Sequence, residues 1–323
     1  MTQPIRRILA LTGGVGGAKL ALGLANTLNP GQVTFVVNTG DDFEHLGLRI
    51  CPDIDTLLYT LSNEANPDTG WGRRNETWHC LEALGQLGGE TWFRLGDRDL
   101  ATHLIRTTAL TAGASLTTVT QRLSERLGIQ HPVLPMCDQN VATMIGSTAG
   151  EMAFQHYFVR ERCAPNVTGF RFQGSEQATL SPALQELLTA PDLDGILICP
   201  SNPFLSVDPI LAVPGMRAAL KAARAPVVAI SPIIQGAAIK GPTAKIMAEL
   251  GLPQDALAVA RHYGDLLDGF ILDSHDASLL EDVRGSGLDA IATPTLMLTL
   301  QDKMNLAKVA VDFVNEITTS NTP

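Results

Sequence analysis

The sequence is poor in aromatic residues, in charged residues and in paired cysteines. Aromatic side chains make up 5% of the 323 residues and charged side chains 17%, whereas hydrophobic residues make up 45%. This balance excludes an intrinsically disordered chain, which would combine low hydrophobicity with high net charge. The five cysteines are scattered without a C-x-x-C pair, so neither a zinc knuckle nor a redox dithiol is expected. Scattered, odd-numbered cysteines are typical of a reducing compartment, and we expect a cytoplasmic protein.

The sequence also lacks long apolar runs and an excess of basic charge. No stretch approaches the ~18 uninterrupted apolar residues of a membrane span, and the N-terminal residues do not have the pattern of a signal peptide. The formal net charge is -10, from 23 Lys and Arg against 33 Asp and Glu. Such a chain offers no overall basic surface to nucleic acid. We therefore expect neither a membrane nor a nucleic-acid partner, and a small anionic ligand would need a local site.

The sequence does contain short apolar runs that alternate with helix-patterned segments. The runs lie at residues 8–12, 33–37, 195–199, 227–230 and 269–272. Continuous apolar runs are typical of parallel strands buried on both faces, and the intervening lengths suit βαβ crossovers. This pattern predicts an α/β fold: a Rossmann-like, doubly wound, mostly parallel sheet in a single domain over residues 1–323. We expect a helical insertion at about residues 55–128 and a small mixed β segment at 131–172.

A turn follows each of these runs, and the turns are the candidate site. Ligands of open parallel sheets bind beyond the carboxyl ends of the strands. The turns have the sequences GGVGGAK (13–19), NTGDD (38–42), PSNP (200–203), SPII (231–234) and DSHD (273–276). We predict that the five turns converge on one cleft.

The first turn is rich in glycine and leads into a helix. Consecutive backbone N–H groups at a helix N-terminus favour an anionic phosphate, and small residues let it approach. The turn is neither a P-loop nor a dinucleotide fingerprint, because Lys19 is followed by leucine and stands where the fingerprint has its third glycine. The pattern predicts a phosphate cradle, or else a tight strand-to-helix turn without a ligand.

Four carboxylates follow the second strand within 15 residues: Asp41, Asp42, Asp53 and Asp55. Mg²⁺ takes one or two carboxylates together with substrate phosphate oxygens. Such a cluster beside a phosphate cradle indicates a magnesium site. Alternatively, Asp53 or Asp55 caps the helix that follows.

Two further segments could contact an anionic substrate. Arg94 and Arg98 lie in a segment dense in charge and could bind phosphate with two hydrogen bonds each, although the acidic residues there equally suit the start of a solvated helix. Hydroxyl and amide groups after later strands suit a base, a ribose or a phosphate, or simply end the strands. These groups belong to Ser201, Asn202 and Ser231.

Taken together, these segments resemble the 2-phospho-L-lactate transferases of coenzyme F420 biosynthesis, called CofD in archaea and FbiA in actinobacteria. The resemblance rests on GGVGG (13–17), NTGDD (38–42), CPDIDT (51–56), LGDRD (95–99), PSNP (200–203) and SPII (231–234). It implies a Mg²⁺-dependent transfer of a phospholactyl, phosphoenolpyruvyl or phosphoglyceryl group from a guanosine-diphosphate-activated donor to the deazaflavin Fo. The products are F420-0 or dehydro-F420-0 and GMP. A homodimer is also plausible from the family.

The resemblance also implies roles for individual residues. Asp55 and Arg94 match residues that contact Fo, and with Arg98 they are the catalytic candidates. The resemblance then assigns binding of the donor and its guanylyl phosphates to the glycine turn and to the polar turn residues. These donor candidates are Gly13, Gly14, Gly16, Gly17, Lys19, Ser201, Asn202 and Ser231.

The acidic metal region of the family matches Asp41 together with Asp42 or Asp53. Asp55 could instead be a metal ligand or the general base that accepts the hydroxyl proton. No residue decides among the three donors. An alternative is a regulatory relative that binds nucleotide sugars, although residues 53–55 and 94–99 match the transferase pattern.

Overall fold

The computed structural model describes residues 5–239 and 241–320. Within these ranges the strands are β1 Arg7–Thr12, β2 Val33–Val37, β3 Phe43–His45, β4 Leu48–Ile50, β5 Val133–Pro135, β6 Ala142–Ser147, β7 Gly150–Ala153, β8 Val167–Gln173, β9 Leu193–Ile198, β10 Val227–Ile230, β11 Ile233–Ile234, β12 Ala237–Ala238, β13 Gly269–Asp273 and β14 Asp289–Thr293. The α-helices are α1 Gly14–Thr27, α2 Pro52–Leu61, α3 His79–Gln86, α4 Asp97–Thr111, α5 Leu116–Arg126, α6 Pro182–Thr189, α7 Asp208–Leu211, α8 Met216–Ala222, α9 Thr243–Glu249, α10 Ala256–Tyr263, α11 Leu280–Arg284 and α12 Leu300–Ser320. Short π-helical turns lie at His156–Arg160 and Pro203–Val207.

The central sheet has seven parallel strands in the order β14-β13-β10-β9-β1-β2-β5. The chain starts at β1, builds outward through β2 to β5, and then returns to β9 and builds outward in the other direction. The strand order therefore reverses between β1 and β9, which is the switch point where such sheets bind ligands. This arrangement confirms the predicted Rossmann-like, doubly wound fold.

Both faces of the sheet are buried, as the continuous apolar runs predicted. On β1, Leu9 and Leu11 belong to one core cluster and Ile8 and Ala10 to the other. The first cluster lies against α6 and α8 to α11, and the second against α1, α2, α5 and α12. Because helices cover both faces, a large ligand reaches the sheet only at the ends of its strands.

The segment from α2 to α5 connects β2 to its sheet neighbour β5 and is helical, as expected for residues 55–128. The first helix starts earlier than predicted, at Pro52. Proline suits the first position of a helix, because the backbone N–H that it lacks would have no partner within the helix there. The expected small β segment follows: β5 joins the central sheet in parallel, and β6, β7 and β8 form a three-stranded antiparallel sheet in the order β7-β6-β8. No helix of the described ranges has the length and apolar character needed to cross a membrane.

Candidate functional site

A cleft of about 650 Å³ lies at the switch point, beyond the carboxyl ends of the central strands. Four of the five predicted turns reach it, but residues 273–276 do not. The residues after β14 take their place, and Asp273 fixes them by accepting hydrogen bonds from Thr295 N at 2.7 Å and Thr295 Oγ1 at 2.9 Å. The turn residues that line the cleft are Gly13, Gly14, Val15, Gly16, Lys19, Asp41, Pro200, Ser201, Asn202, Ser231, Pro232, Ile234, Thr295, Leu296 and Met297.

The glycine turn leads from β1 into α1, and its glycines permit close approach to the turn after β9. A Cβ on Gly16 would collide with the carbonyl oxygen of Pro200. Gly17 does not line the cleft, because it packs against Thr12 and Ser201. Gly14 has φ +63°, which side chains rarely adopt. The glycines thus meet a packing requirement, and Gly13, Gly14 and Gly16 line the cleft at the N-terminus of α1.

The polar turn residues differ in what they offer a ligand. The Ser201 hydroxyl donates to Gly13 O at 2.8 Å, and the Ser231 hydroxyl donates to Ile233 O at 3.0 Å, so both are used by the backbone. Asn202 Oδ1 accepts from two backbone N–H groups of the following turn. Its Nδ2 is buried and has no partner among the described residues. Asn202 is therefore the turn residue with an unused donor at the cleft.

Asp41 and Asp53 form a buried acidic pair at the cleft, joined by one amide. Asn38 Nδ2 donates to Asp41 Oδ1 at 3.1 Å and to Asp53 Oδ2 at 2.9 Å. Burial, and then the neighbouring Asp53, raise the pKa of Asp41 well above its ordinary value. Burial raises the pKa of Asp53 to about 6, although Asn38 and the Gly14 N–H partly oppose this. Two buried carboxylates that share one amide donor and repel each other are unfavourable without a cation, so this pair suits a divalent metal.

The structure places the other two predicted aspartates differently. Asp42 does not line the cleft, and its carboxylate lies 3.3 Å from Arg49 Nη2. Burial raises the pKa of Asp42 to about 7, and Arg49 opposes the shift. Asp55 lines the cleft and is held by Arg106. Neither Asp53 nor Asp55 caps α2, since the residue before this helix is Cys51 and no side-chain cap is made.

Asp55 belongs to a set of polar residues between α2 and α4, which we call the α2–α4 seam. The seam consists of Asp55 and Tyr59 on α2 and of Asp99, His103 and Arg106 on α4. Tyr59 donates its hydroxyl hydrogen to Asp99 Oδ1 at 2.6 Å, and His103 Nε2 lies 3.3 Å from Asp99 Oδ2. Burial raises the pKa of Asp99, but His103 and Tyr59 outweigh it, so the pKa lies below its ordinary value. The helical spacings i, i+4 on α2 and i, i+4, i+7 on α4 bring these side chains to one interface.

The seam also contains a second group of ligand atoms. Asp55, Asp99 and His103 each offer one, and these atoms lie within 4.8 Å of one another. Arg106 lies within hydrogen-bond distance of both Asp55 and His103. Its positive charge opposes a divalent cation there, so the Asp41–Asp53 pair fits a metal better.

The two predicted arginines lie in different environments. Arg94 lines the cleft, and its guanidinium carbon lies 4.2 Å from the centre of the Trp78 ring, as in a cation–π contact. Arg98 is exposed and outside the cleft, and its backbone N–H donates to Glu76 Oε2 at 2.8 Å. Glu76 therefore caps the start of α4, while the Arg98 side chain points to no part of the site.

Sequence reasoning missed an aromatic wall on the cleft. The wall consists of Trp71, Trp92, Phe93, Phe154 and Phe158. Trp71 is 48% exposed and Phe158 is 40% exposed, and the latter stacks on Phe154 at 5.3 Å between ring centres. With Tyr59, six of the 16 Trp, Tyr and Phe residues line this one cleft. No sequence pattern indicated this wall, because its residues are spread over positions 71 to 158 and come together only in the fold.

Comparison with known families places this site in context. The family described as 2-phospho-L-lactate transferase CofD matches residues 8–304. The chain belongs to this family. Its curated relatives include phosphoenolpyruvate transferases of Streptomyces griseus (40% identical), Streptomyces coelicolor (41%) and Mycolicibacterium smegmatis (38%). The matches cover 96%, 96% and 95% of this chain and 99%, 99% and 98% of those proteins.

Membership of the CofD family confirms the resemblance seen in the sequence and the expectation of an enzyme of the transferase type. It therefore does not favour the nucleotide-sugar-binding alternative. Among solved structures, a UPF0052-family protein of Bacillus halodurans is 17% identical, with a TM-score of 0.63 over 96% of this chain and 99% of that one. At this identity the likeness shows the shared fold only.

Proposed function

We propose that this CofD-family enzyme transfers a phosphorylated three-carbon acid from a guanosine-diphosphate-activated donor to the deazaflavin Fo and releases GMP. The names of the curated relatives make the phosphoenolpyruvyl group the first candidate, and the product would be dehydro-F420-0. A phospholactyl or phosphoglyceryl donor is the alternative. The observation that carries the proposal is the buried Asp41–Asp53 pair, which lies beside the N-terminus of α1 at the switch point.

The donor binds at the glycine turn and the turn after β9. The N-terminus of α1 presents backbone N–H groups and a positive helix dipole to the diphosphate. Gly13, Gly14 and Gly16 leave room for it, and Lys19 lines the same part of the cleft. The unused Nδ2 of Asn202 is a donor for a phosphate or a ribose oxygen. Ser201 and Ser231 shape this end of the cleft and do not offer a free hydroxyl.

Asp41 and Asp53 hold Mg²⁺ in this proposal. A hard cation accepts two carboxylates and fills its remaining positions with phosphate oxygens and water. When bound, the metal neutralises charge on the diphosphate and stabilises the leaving phosphate. Asn38 keeps the two carboxylates together, because it donates to both.

The acceptor binds between the aromatic wall, Arg94 and Asp55. A tricyclic deazaflavin offers flat apolar faces, which stack on rings such as Trp71 and Trp92. The terminal ribityl hydroxyl attacks the phosphorus that bears the three-carbon acid, and a new P–O bond forms. The pyrophosphate P–O bond breaks in line, GMP leaves, and the hydroxyl proton passes to solvent. Asp55 is held by Arg106, so we assign it the orientation of the hydroxyl and not removal of its proton.

A binding titration tests the acceptor half of this proposal. We expect Fo fluorescence to change saturably on addition of the protein, and GDP to bind at the same time without displacing Fo. Trp71→Ala weakens only the Fo titration in this scheme, whereas Asn202→Ala weakens only the GDP titration. Mutual displacement of Fo and GDP, or no Fo binding, would contradict a two-substrate cleft.

A further inference from the structure

The α2–α4 seam contains a cation that the proposed reaction does not use. The Arg106 side chain is fully buried, and both of its terminal nitrogens face Asp55. Nη1 donates to Asp55 Oδ2 at 3.0 Å, and Nη2 donates to Asp55 Oδ1. Burial lowers the pKa of Arg106, but Asp55 more than offsets this, so the guanidinium is charged. A planar fork on both carboxylate oxygens fixes the rotation of Asp55 as well as its charge.

Arg106 also contacts His103. Arg106 Nη1 lies 3.2 Å from His103 Nδ1, whereas Asp55 Oδ2 lies 3.6 Å from it. A guanidinium only donates, so His103 Nδ1 is the acceptor in this contact. His103 lines the cleft, and its Nε2 lies 3.3 Å from Asp99 Oδ2. One arginine thus contacts two side chains of the same cleft wall.

A second arginine, the partly exposed Arg49, is also paired with a buried aspartate and serves as a comparison for Arg106. Arg49 lies 3.3 Å from the buried Asp42, and that aspartate does not line the cleft. Both pairs neutralise a buried carboxylate and so serve the stability of the fold. Only Arg106 holds a carboxylate that faces the acceptor end of the cleft.

We propose that Arg106 is a positioning residue for the acceptor, acting through Asp55. The inference rests on the proposed function, since it takes Asp55 to contact the acceptor hydroxyl. A small misplacement of such a group costs on the order of 100-fold in rate, because the attacking oxygen must lie in line with the bond that breaks. Arg106 touches neither substrate and is not catalytic.

The matched variants Arg106→Lys and Arg49→Lys test this role. Lysine keeps the positive charge in each pair but loses the fork. We expect Arg106→Lys to lose more thermal stability than Arg49→Lys, because Arg106 is fully buried and binds both carboxylate oxygens, whereas Arg49 is partly exposed and makes one contact with its aspartate. Arg106→Lys should lower kcat/KM for Fo by roughly 10- to 100-fold and leave KM for the guanylylated donor within about 3-fold, whereas Arg49→Lys changes neither. Equal kinetics for the two variants, or equal losses for donor and acceptor, would overturn the proposal.

A double-mutant cycle with Asp55→Asn tests whether Arg106 acts through Asp55. Without the carboxylate, Arg106→Lys should cost less than about 3-fold in kcat/KM for Fo, because coupled residues are not additive. If Arg106→Lys still lowers kcat/KM for Fo by its full factor in the Asp55→Asn protein, Arg106 acts through another group and the proposal is overturned. If Arg106→Lys does not fold, Asp55→Asn/Arg106→Met removes both charges and is compared with Asp55→Asn alone. Equal kcat/KM then supports the inference, and a further large loss overturns it.

Failure of this inference can be told apart from failure of the proposed function. If the unmodified protein transfers nothing to Fo, the proposed function is wrong, and the positioning role falls with it. If the unmodified protein is active and Arg106→Lys behaves as Arg49→Lys does, only the positioning role is wrong.

Discussion

Replacing Asp53 by asparagine should make the metal-free protein more stable and the enzyme inactive. In the folded protein, burial raises the pKa of Asp53 from 3.8 to about 6. At about 1.4 kcal/mol per pKa unit, the ionised form is penalised by roughly 3 kcal/mol at neutral pH. Asp41 is buried beside Asp53 and bears part of the same free-energy penalty. We therefore expect replacement of Asp53 by asparagine to recover about half or more of the roughly 3 kcal/mol. For a domain of this size that is a rise in Tm of roughly 2 to 4 °C.

The pH dependence of this effect has a definite sign. Between about pH 4 and pH 6 the folded protein holds a proton on this carboxyl that the unfolded chain has lost. The stability of the metal-free protein therefore falls as pH rises through this window, and Asp53→Asn removes this part of the fall. Below about pH 4 the variant and the unmodified protein should have similar stability.

Thermal unfolding at pH 7.5, with EDTA and with Mg²⁺, checks the prediction. Mg²⁺ should raise the Tm of the unmodified protein and not that of Asp53→Asn or Asp41→Asn. Asp42→Asn is the matched control, since Asp42 is equally buried but is paired with Arg49 away from the cleft. Mg²⁺ should raise the Tm of Asp42→Asn as much as it raises the Tm of the unmodified protein. Loss of apo stability in Asp53→Asn, or retained Mg²⁺-dependent turnover, would refute the reasoning.

Four other substitutions have clear expectations. Gly16→Ala forces a Cβ against a backbone carbonyl and should lower Tm by several degrees and GDP affinity at least 10-fold in a titration, whereas Gly169→Ala, with open space, should change neither. Trp71→Ala removes a half-exposed ring, so Fo fluorescence should show about 10-fold weaker binding at unchanged Tm. Arg98→Ala should keep kcat/KM within about 2-fold, while Glu76→Ala loses a helix cap worth about 1 kcal/mol on unfolding. Normal GDP binding by Gly16→Ala, normal Fo binding by Trp71→Ala, or an inactive Arg98→Ala would each contradict the corresponding argument.

The central strands could be predicted because a strand that is buried on both faces appears in the sequence as a continuous apolar run. The apolar runs at Val33–Val37 and Val227–Ile230 match β2 and β10 residue for residue. The edge strand Asp289–Thr293 escaped prediction, because it is buried less and begins with an exposed aspartate. As a result the turn after β13 was expected in the cleft, where the turn after β14 lies instead.

The roles of the charged residues depend on tertiary pairing, which spacing alone does not show. Arg98 and Arg106 lie in the same charged segment, yet Arg98 is exposed and Arg106 is fully buried behind Asp55. The helical spacing of Asp99, His103 and Arg106 was visible in the sequence. That α2 would present Asp55 to this face of α4 was not, since it depends on how the two helices pack.

The most direct test of the account is the mass of the product formed from Fo, Mg²⁺ and each guanylylated donor supplied separately. The account predicts one Fo adduct that carries a phosphorylated three-carbon acid, with GMP in equal amount, and with the phosphoenolpyruvyl donor as the best substrate. Intact Fo with the phosphoenolpyruvyl, phospholactyl and phosphoglyceryl donors alike, from protein that still binds GDP, would contradict it.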